Sequence, residues 1–500
     1  MSRVNEAGPP EPVAASLPAM STQPAGTILV TGASGYIGRR LVPELVERGC
    51  HVRAMVIDDA DSYNGLWPGA EVVEADALDR DELRAALDGI DTAYYLIHPI
   101  HYRSTEYEAA DVRAAANFRS EAEAAGVKRI IYLGGLADLR CPPGSALCGR
   151  QRVADELGRG GPKLTVMRAA VIIGSGSAAY EIFMSLARRL PLVPMPPWGR
   201  NLCQPISLTD TVRYLAKALE TPASAGRDFE IGGPDVLSYE EMMKSLQRRV
   251  RRASRIVRVP VSSIRFYAYA VSLVTPVPYS LAKALLTGFS NKLVCRNSSI
   301  RELVPLQLMT YEESLDKAMA AEAGQKVFSR WSDAYPATDK VTTRLHELKR
   351  AVAHTAGSEL VTNREPAVLF RTITRIGGER GWFSTSWMWR TRGLLDRLAK
   401  GVGTSRGRKN LSGLRMNDVI DFWRVEELEE DRRLLLRAEM KLPGMAWLEF
   451  TIEPLNGTSR LSVKAYHETS GLYGRLYWYF FLPFHHRLFR KLLEDIVKES

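Results

Sequence analysis

Thr27-Ile28-Leu29-Val30-Thr31-Gly32-Ala33-Ser34-Gly35-Tyr36-Ile37-Gly38 is a β-branched, apolar run that breaks into three glycines spaced three apart. It continues as Arg39-Arg40-Leu41-Val42-Pro43-Glu44-Leu45, an amphipathic helical pattern. The whole stretch reads as strand, tight turn and helix. Gly32 permits the turn, Gly35 lets the backbone approach a pyrophosphate, and Gly38 lets the helix pack on the strand. The helix N-terminus then aims its N–H groups at the anion. A second apolar strand, Val52 to Ile57, ends at Asp58, about 20 residues past Gly38, where dinucleotide-binding turns carry an acid for the ribose.

Outward from that turn, short apolar strands alternate with longer helical stretches as far as Gly174. The strands fall at 27–31, 52–57, 71–74, 92–97, 129–134 and 164–168, with helices at 37–48, 79–87, 105–125 and 149–158 between them. This alternation predicts an α/β fold, a Rossmann-type doubly wound parallel sheet with its ligand beyond the carboxyl ends of the strands.

The chain has 500 residues, 45% hydrophobic and 25% charged, enough for two or three domains. No run reaches the roughly 18 apolar residues of a spanning helix. The most apolar stretch, Phe266 to Phe289, is interrupted by Pro276, Pro278 and Lys283. The five cysteines are odd in number and lack metal spacing, which predicts reduced thiols, a cytoplasmic location and no metal site. Residues 1–24, rich in Ala, Pro and Ser, read as a disordered tail and not a signal peptide. Of the net charge of +10, residues 341–500 hold +8, from 27 Lys/Arg against 19 Asp/Glu. That basic half suits a peripheral membrane or protein-complex contact; no nucleic-acid motif accompanies it.

Together with the glycine loop, Tyr94-Tyr95-Leu96-Ile97-His98, Ile130-Ile131-Tyr132-Leu133-Gly134-Gly135, Arg168 to Ser177, Gln204-Pro205-Ile206 and Ile231-Gly232-Gly233-Pro234 resemble the atypical short-chain dehydrogenase/reductases. The resemblance is to the bacterial branch related to the 39-kDa subunit of respiratory complex I, and it covers about residues 26–330. It implies NAD or NADP held by Gly32, Ser34, Gly35, Tyr36, Ile37 and Gly38, with Asp76 near the adenine and His98 near the nicotinamide. Asp76 also fits a turn cap, and His98 a core histidine. Asp58 favours a free ribose hydroxyl, whereas Arg39 suits a phosphate, so the choice between NAD and NADP stays open.

The family's catalytic set is incomplete. Gly134-Gly135 stand at the serine position, and Ala146 and Arg150 stand where a tyrosine and lysine are expected. Arg150 can hold a phosphate or ribose oxygen but cannot act as a general acid at neutral pH. His98 and Ser145 remain as proton handlers. An oxidoreductase acting on a hydrophobic, quinone- or lipid-like molecule and a non-catalytic NAD(P)-binding sensor or assembly protein are both compatible with this pattern. Residues 175–330 read as the substrate-side lobe, with an apolar wall at Phe183, Leu186, Leu190, Leu192, Val193, Met195 and Trp198.

Residues 25–328 form the first predicted domain, 329–357 a linker with one helix-like piece at 342–354, and 358–500 a second domain. There a short strand at 360–362, two helices, four alternating strands (418–425, 432–440, 446–453 and 459–466) and a long aromatic helix, 472–498, follow in order. The order predicts an α+β helix-grip domain. Gly377 to Trp382, Asp421-Phe422-Trp423-Arg424-Val425 and Tyr477-Trp478-Tyr479 resemble the domain of unknown function that follows this dehydrogenase type. Trp423, Met440, Trp447, Phe450, Tyr477 and Trp478 either line a cavity for an apolar ligand or fill the core, and Glu439, Glu449, His467 and His485 are its acid/base candidates.

Overall fold

The computed structural model describes residues 26–57, 60–97, 105–136, 146–250, 254–324, 327–333, 345, 352, 354–378, 380–404, 406–408, 413–441, 444–469 and 471–500. The predicted tail, Asp58, His98 and Ser145 lie outside them.

The chain opens with β1 (Ile28–Val30), α1 (Gly38–Glu47), β2 (Val52–Val56), β3 (Ala70–Glu74), α2 (Arg80–Leu87), β4 (Thr92–Tyr95), α3 (Thr105–Ala124), β5 (Arg129–Gly135), α4 (Ala146–Leu157) and β6 (Lys163–Ala169). A later strand, β7 (Asp228–Ile231), completes a seven-stranded sheet in the order β7-β6-β5-β4-β1-β2-β3. Every pairing in it is parallel. The period of two along a strand sorts its side chains onto opposite faces. Ile28 and Val30 join Leu41, Val42 and Leu45 of α1 on one face, while Leu29 joins Leu83 and Phe118 on the other. Both faces are covered, as a doubly wound sheet requires. The order reverses between β1 and β4, and the glycine turn sits at that switch point.

The chain goes on through α5 (Ala178–Arg189), α6 (Leu208–Glu220), α7 (Tyr239–Val250), α8 (Ile264–Val274), α9 (Tyr279–Phe289) and α10 (Tyr311–Ala323); α6 packs with α1 against the parallel sheet, and the other five build a helical lobe. The predicted apolar wall is mostly interior. Phe183, Val193 and Met195 belong to the lobe's core, Leu186, Leu190 and Trp198 pack against it, and Leu192 is exposed.

The C-terminal part comprises β8 (His354–Thr362), α11 (Pro366–Ile373), α12 (Ser386–Leu398), β9 (Val419–Ile420), β10 (Trp423–Glu429), β11 (Arg433–Ala438), β12 (Met445–Leu455), β13 (Thr458–Glu468) and α13 (Leu472–Glu499). Its six strands form an antiparallel sheet in the order β8-β13-β12-β11-β10-β9. Leu448, Phe450 and Ile452 of this sheet share a core with Leu488, Phe489 and Leu492 of α13. This is the predicted helix-grip arrangement.

Three details depart from the sequence reading. The strand read at 418–425 is two strands, because Asp421, at φ 55°, turns the chain in a tight hairpin that pairs Ile420 with Trp423. His354, the last residue of the predicted linker helix, instead opens β8, and most of 342–353 lies outside the described residues. Trp447 also leaves the proposed cavity lining. It lies three residues before Phe450 on β12 and therefore on the opposite face, where its indole N–H donates to Glu426 at 3.0 Å.

Candidate functional site

The turn between β1 and α1 is built around Thr31. Its hydroxyl donates to the Tyr94 carbonyl at 3.0 Å and accepts from the Leu96 N–H at 3.1 Å, tying β1 to the end of β4. Gly32 has φ +61°, and a Cβ there would come within 2.8 Å of the Leu96 carbonyl oxygen. A Cβ on Gly38 would lie 2.3 Å from the Gly32 carbonyl oxygen and 2.7 Å from Ala33 Cα. Both glycines are thus demanded by the fold. Gly35 has no positive φ, and its Cβ would meet only the Gly32 carbonyl oxygen, at 3.1 Å.

Ile37 is the N-cap of α1, no side chain caps the helix, and no acid lies in its first turn. The helix N-terminus therefore carries neither a side-chain cap nor a competing carboxylate, the condition under which helix N-termini attract anions. Ser34 is buried, and its carbonyl accepts from Arg39 Nε at 3.0 Å. The Tyr36 hydroxyl donates to the Ser175 carbonyl at 3.2 Å, and its ring lies 4.7 Å from the Arg40 guanidinium. Burial pushes the Tyr36 phenol up and the Arg40 guanidinium down.

Arg39 is not poised for a phosphate. It is buried, and its guanidinium lies 3.6 Å from the Asp333 carboxylate and 5.9 Å from the Tyr63 ring centroid. Asp76 follows β3, and its Oδ1 accepts from the Leu78 N–H at 2.9 Å while its own N–H donates to Glu82 at 2.7 Å. This is the turn-capping geometry. Arg150, half-buried, stands one turn beyond Ala146 on α4, and its carbonyl accepts from the Tyr132 hydroxyl at 3.2 Å. Gly134 and Gly135 close β5 opposite Arg168 and Ala169.

Residues 32–146 match a family model described as NAD(P)H-binding, and residues 353–492 match one described as a protein of unknown function, DUF2867. The chain joins an NAD(P)-binding Rossmann-type domain to a DUF2867 domain. Its NAD(P)-binding half is 24% identical over 261 residues to the mitochondrial NADH dehydrogenase [ubiquinone] 1 alpha subcomplex subunit 9 of Arabidopsis thaliana, across 50% of this chain and 65% of that protein. The match thus spans just under two thirds of the plant subunit's length. The half is also 25% identical over 244 residues to the ceramide reductase of Caulobacter vibrioides, across 48% of this chain and 76% of the reductase. Among solved structures, the Citrobacter sp. triphenylmethane reductase complexed with NADP(H) is 18% identical, with a TM-score of 0.49 over 58% of this chain and 99% of its own.

In the DUF2867 domain the predicted acid/base candidates have separate fates. Burial raises the Glu439 carboxyl, but Arg424 and Arg406 overcome it and hold the group below the usual range in a closed ion cluster. Glu449 is occupied by Arg433 at 2.7 Å and by the Tyr466 hydroxyl at 2.5 Å. His467 is buried, stacks on Trp478 at 5.6 Å and, among the described residues, has no hydrogen-bond partner on either ring nitrogen. Burial, with the charges of His354 and Arg392, pushes its pKa down to about 4, and His485 is likewise lowered to about 4. Trp423, Met440, Phe450 and Trp478 belong to one core cluster, so these four fill the grip as core residues.

The sequence reading missed the segment 327–333. Ser329, read as the start of a linker, is fully buried; its hydroxyl donates to the Tyr36 carbonyl at 2.9 Å and accepts from Arg40. Asp333 pairs with Arg39. No local pattern marks these residues, since Ser329 and Tyr36 are separated by 293 positions.

Proposed function

We propose that the chain is an NAD(P)H-dependent oxidoreductase acting on a hydrophobic, quinone- or lipid-like molecule. The observation that carries the reading is the uncapped N-terminus of α1 at the sheet's switch point, with Gly35 under no demand for a positive φ. The glycine loop, through Gly32, Ser34, Gly35, Tyr36, Ile37 and Gly38, would seat the pyrophosphate, Asp76 would address the adenine, and Arg150 a ribose or phosphate oxygen. The cofactor, once bound, supplies the hydride. His98, three residues beyond β4, and Ser145, next to the start of α4, would move the proton. A hydrophobic substrate is supported by the name of the ceramide reductase among the relatives.

The second reading, a non-catalytic NAD(P)-binding sensor or assembly protein, is favoured by one observation: the tyrosine and lysine positions, one turn apart on α4, hold Ala146 and Arg150. Fluorescence titration with NADH and NADPH, followed by nicotinamide oxidation in the presence of quinones and enones, separates the two. Slow substrate-dependent oxidation that His98→Ala abolishes supports the oxidoreductase. Micromolar binding with no turnover of any substrate supports the sensor, and absence of binding defeats both.

A further inference from the structure

Apart from Arg475 and His485, the first four turns of α13 are apolar on every side. Gly474, Tyr477, Trp478 and Phe481 face the protein, while Tyr473, Leu476, Tyr479, Phe480 and Phe484 recur at three- and four-residue spacing on the outer face. Tyr473 is 84% and Phe480 68% exposed. A helix that is apolar all round is not a surface helix of a protein in water; its outer face needs an apolar neighbour. The last turns of the same helix are ordinary, with Arg490, Glu494 and Lys498 outside and Leu492, Leu493 and Ile496 inside. α12 lies alongside, joined by Arg392, whose guanidinium sits 5.3 Å from the Tyr477 ring and 5.7 Å from the Phe481 ring. It carries its own exposed stripe of Trp387, Leu394, Leu395 and Leu398, with Trp387 66% exposed.

Charge identifies the occupant. No acid occurs between Glu468 and Glu494, where Arg475, His486, Arg487 and Arg490 are all exposed. The one acid of α12, Asp396, is buried and accepts from the Gly403 and Lys441 N–H groups, while Arg390 is exposed. The outer surface of residues 386–398 and 472–493 therefore presents apolar and cationic groups and no carboxylate. A two-fold contact with a second copy would set these cations against themselves with nothing to neutralise them. An anionic bilayer supplies both an apolar stratum for the aromatics and phosphates for the arginines, and tyrosine and tryptophan suit its interface.

We propose that α12 and α13 dock the protein in the plane of an anionic phospholipid surface. Among the described residues no helix is long and apolar enough to cross a membrane, which accords with in-plane docking. This docking stands apart from the proposed redox reading and survives its failure.

The test uses the full chain with vesicles of phosphatidylcholine alone or with 30% phosphatidylglycerol, followed by flotation and by quenching of tryptophan fluorescence with bromolipid. The expected result is binding to the phosphatidylglycerol vesicles at least tenfold tighter than to phosphatidylcholine alone, weakened severalfold by about 0.5 M salt. A triple variant, Tyr473→Ser/Leu476→Ser/Phe480→Ser, should lose at least tenfold, and Arg475→Glu/Arg487→Glu should lose the preference for anionic lipid. Both variants must keep the parent's thermal midpoint for the comparison to count, and Leu394→Ser/Leu395→Ser on α12 is an independent check should either fail to fold. Equal binding by parent and triple variant overturns the proposal. So does a parent that ignores vesicles but elutes as a dimer that the triple variant converts to a monomer, since the occupant is then a second copy.

Discussion

Gly32 and Gly38 are each explained by the protein itself, whereas Gly35 has an ordinary φ and a single close neighbour, the Gly32 carbonyl oxygen, 3.1 Å from where its Cβ would stand. A ligand's approach is the remaining reason for a glycine there. The two kinds of glycine should separate on substitution. Gly38→Ala forces a methyl into the Gly32 carbonyl and should cost roughly 1–3 kcal/mol of stability, the usual range for overpacking. Gly35→Ala should leave the thermal midpoint within a degree or two yet weaken NADH binding at least tenfold. A Gly35→Ala protein that binds NADH normally would remove the loop from the cofactor site. Cofactor choice is decided on the same scale. With Arg39 neutralised by Asp333, the loop offers no free guanidinium for a 2′-phosphate from that position, so NADH should bind more tightly than NADPH. Parallel fluorescence titrations measure the ratio, and a preference for NADPH would place a phosphate-binding cation elsewhere.

At the scale of elements, His467 on β13 makes the DUF2867 domain sensitive to acid. Its pKa in the folded protein is about 4 against an ordinary 6.5, so the unfolded chain binds the extra proton between those values. Its contribution is complete above pH 6.5 and is lost as pH falls towards 4. Asp421, raised to about 6 by burial, runs the other way and loses stability as pH rises from 3.8 to 6. Comparing the parent with His467→Gln cancels the Asp421 contribution. The stability difference between the two should shrink by about 2–3 kcal/mol from pH 7 to pH 4.5 by urea unfolding, a two-unit span at 1.36 kcal/mol per unit. An unchanged difference would show that His467 meets water or a partner when folded.

What the sequence disclosed at this scale depended on how local the signal was. The strand and helix alternation of 27–168 and the aromatic α13 repeat within a few residues and were readable. The hairpin at Asp421 was hidden because Val419-Ile420-Asp421-Phe422-Trp423 carries no glycine or asparagine to announce a turn. Trp447 was misassigned by residue type, although strand parity alone already separated it from Phe450. The segment 327–333 was invisible, because its partners, Tyr36, Arg39 and Arg40, lie almost three hundred positions away.

At the scale of the whole molecule that segment joins the two domains. On one side Ser329 and Asp333 hold the first turn of α1 through Tyr36, Arg40 and Arg39. On the other, Arg424 of β10 donates to the Ser332 carbonyl at 2.9 Å, and the Arg406 guanidinium lies 5.6 Å from the Trp331 ring centroid. Asn417 adds a direct bond to the Tyr63 hydroxyl at 3.3 Å, beside Arg39. A ligand seated on the glycine loop therefore steadies a helix that the DUF2867 domain also grips through these contacts. Three consequences follow by linkage. NADH should raise the melting temperature of both domains together, in one calorimetric transition. Asp333→Ala, which removes the carboxylate beside the buried Arg39 guanidinium, should cost about 3–5 kcal/mol and weaken NADH binding although residue 333 lies outside the glycine loop. Arg424→Met should leave α1 intact but split the transition in two, with NADH then raising only the NAD(P)-binding one. A single NADH-shifted transition in Arg424→Met would mean that the contacts left, among them Asn417 to Tyr63, Arg406 to Trp331 and the Arg397 bonds to the Ser272 and Thr275 carbonyls, suffice to couple the halves, and two transitions in the parent would mean that 327–333 joins the domains without coupling them.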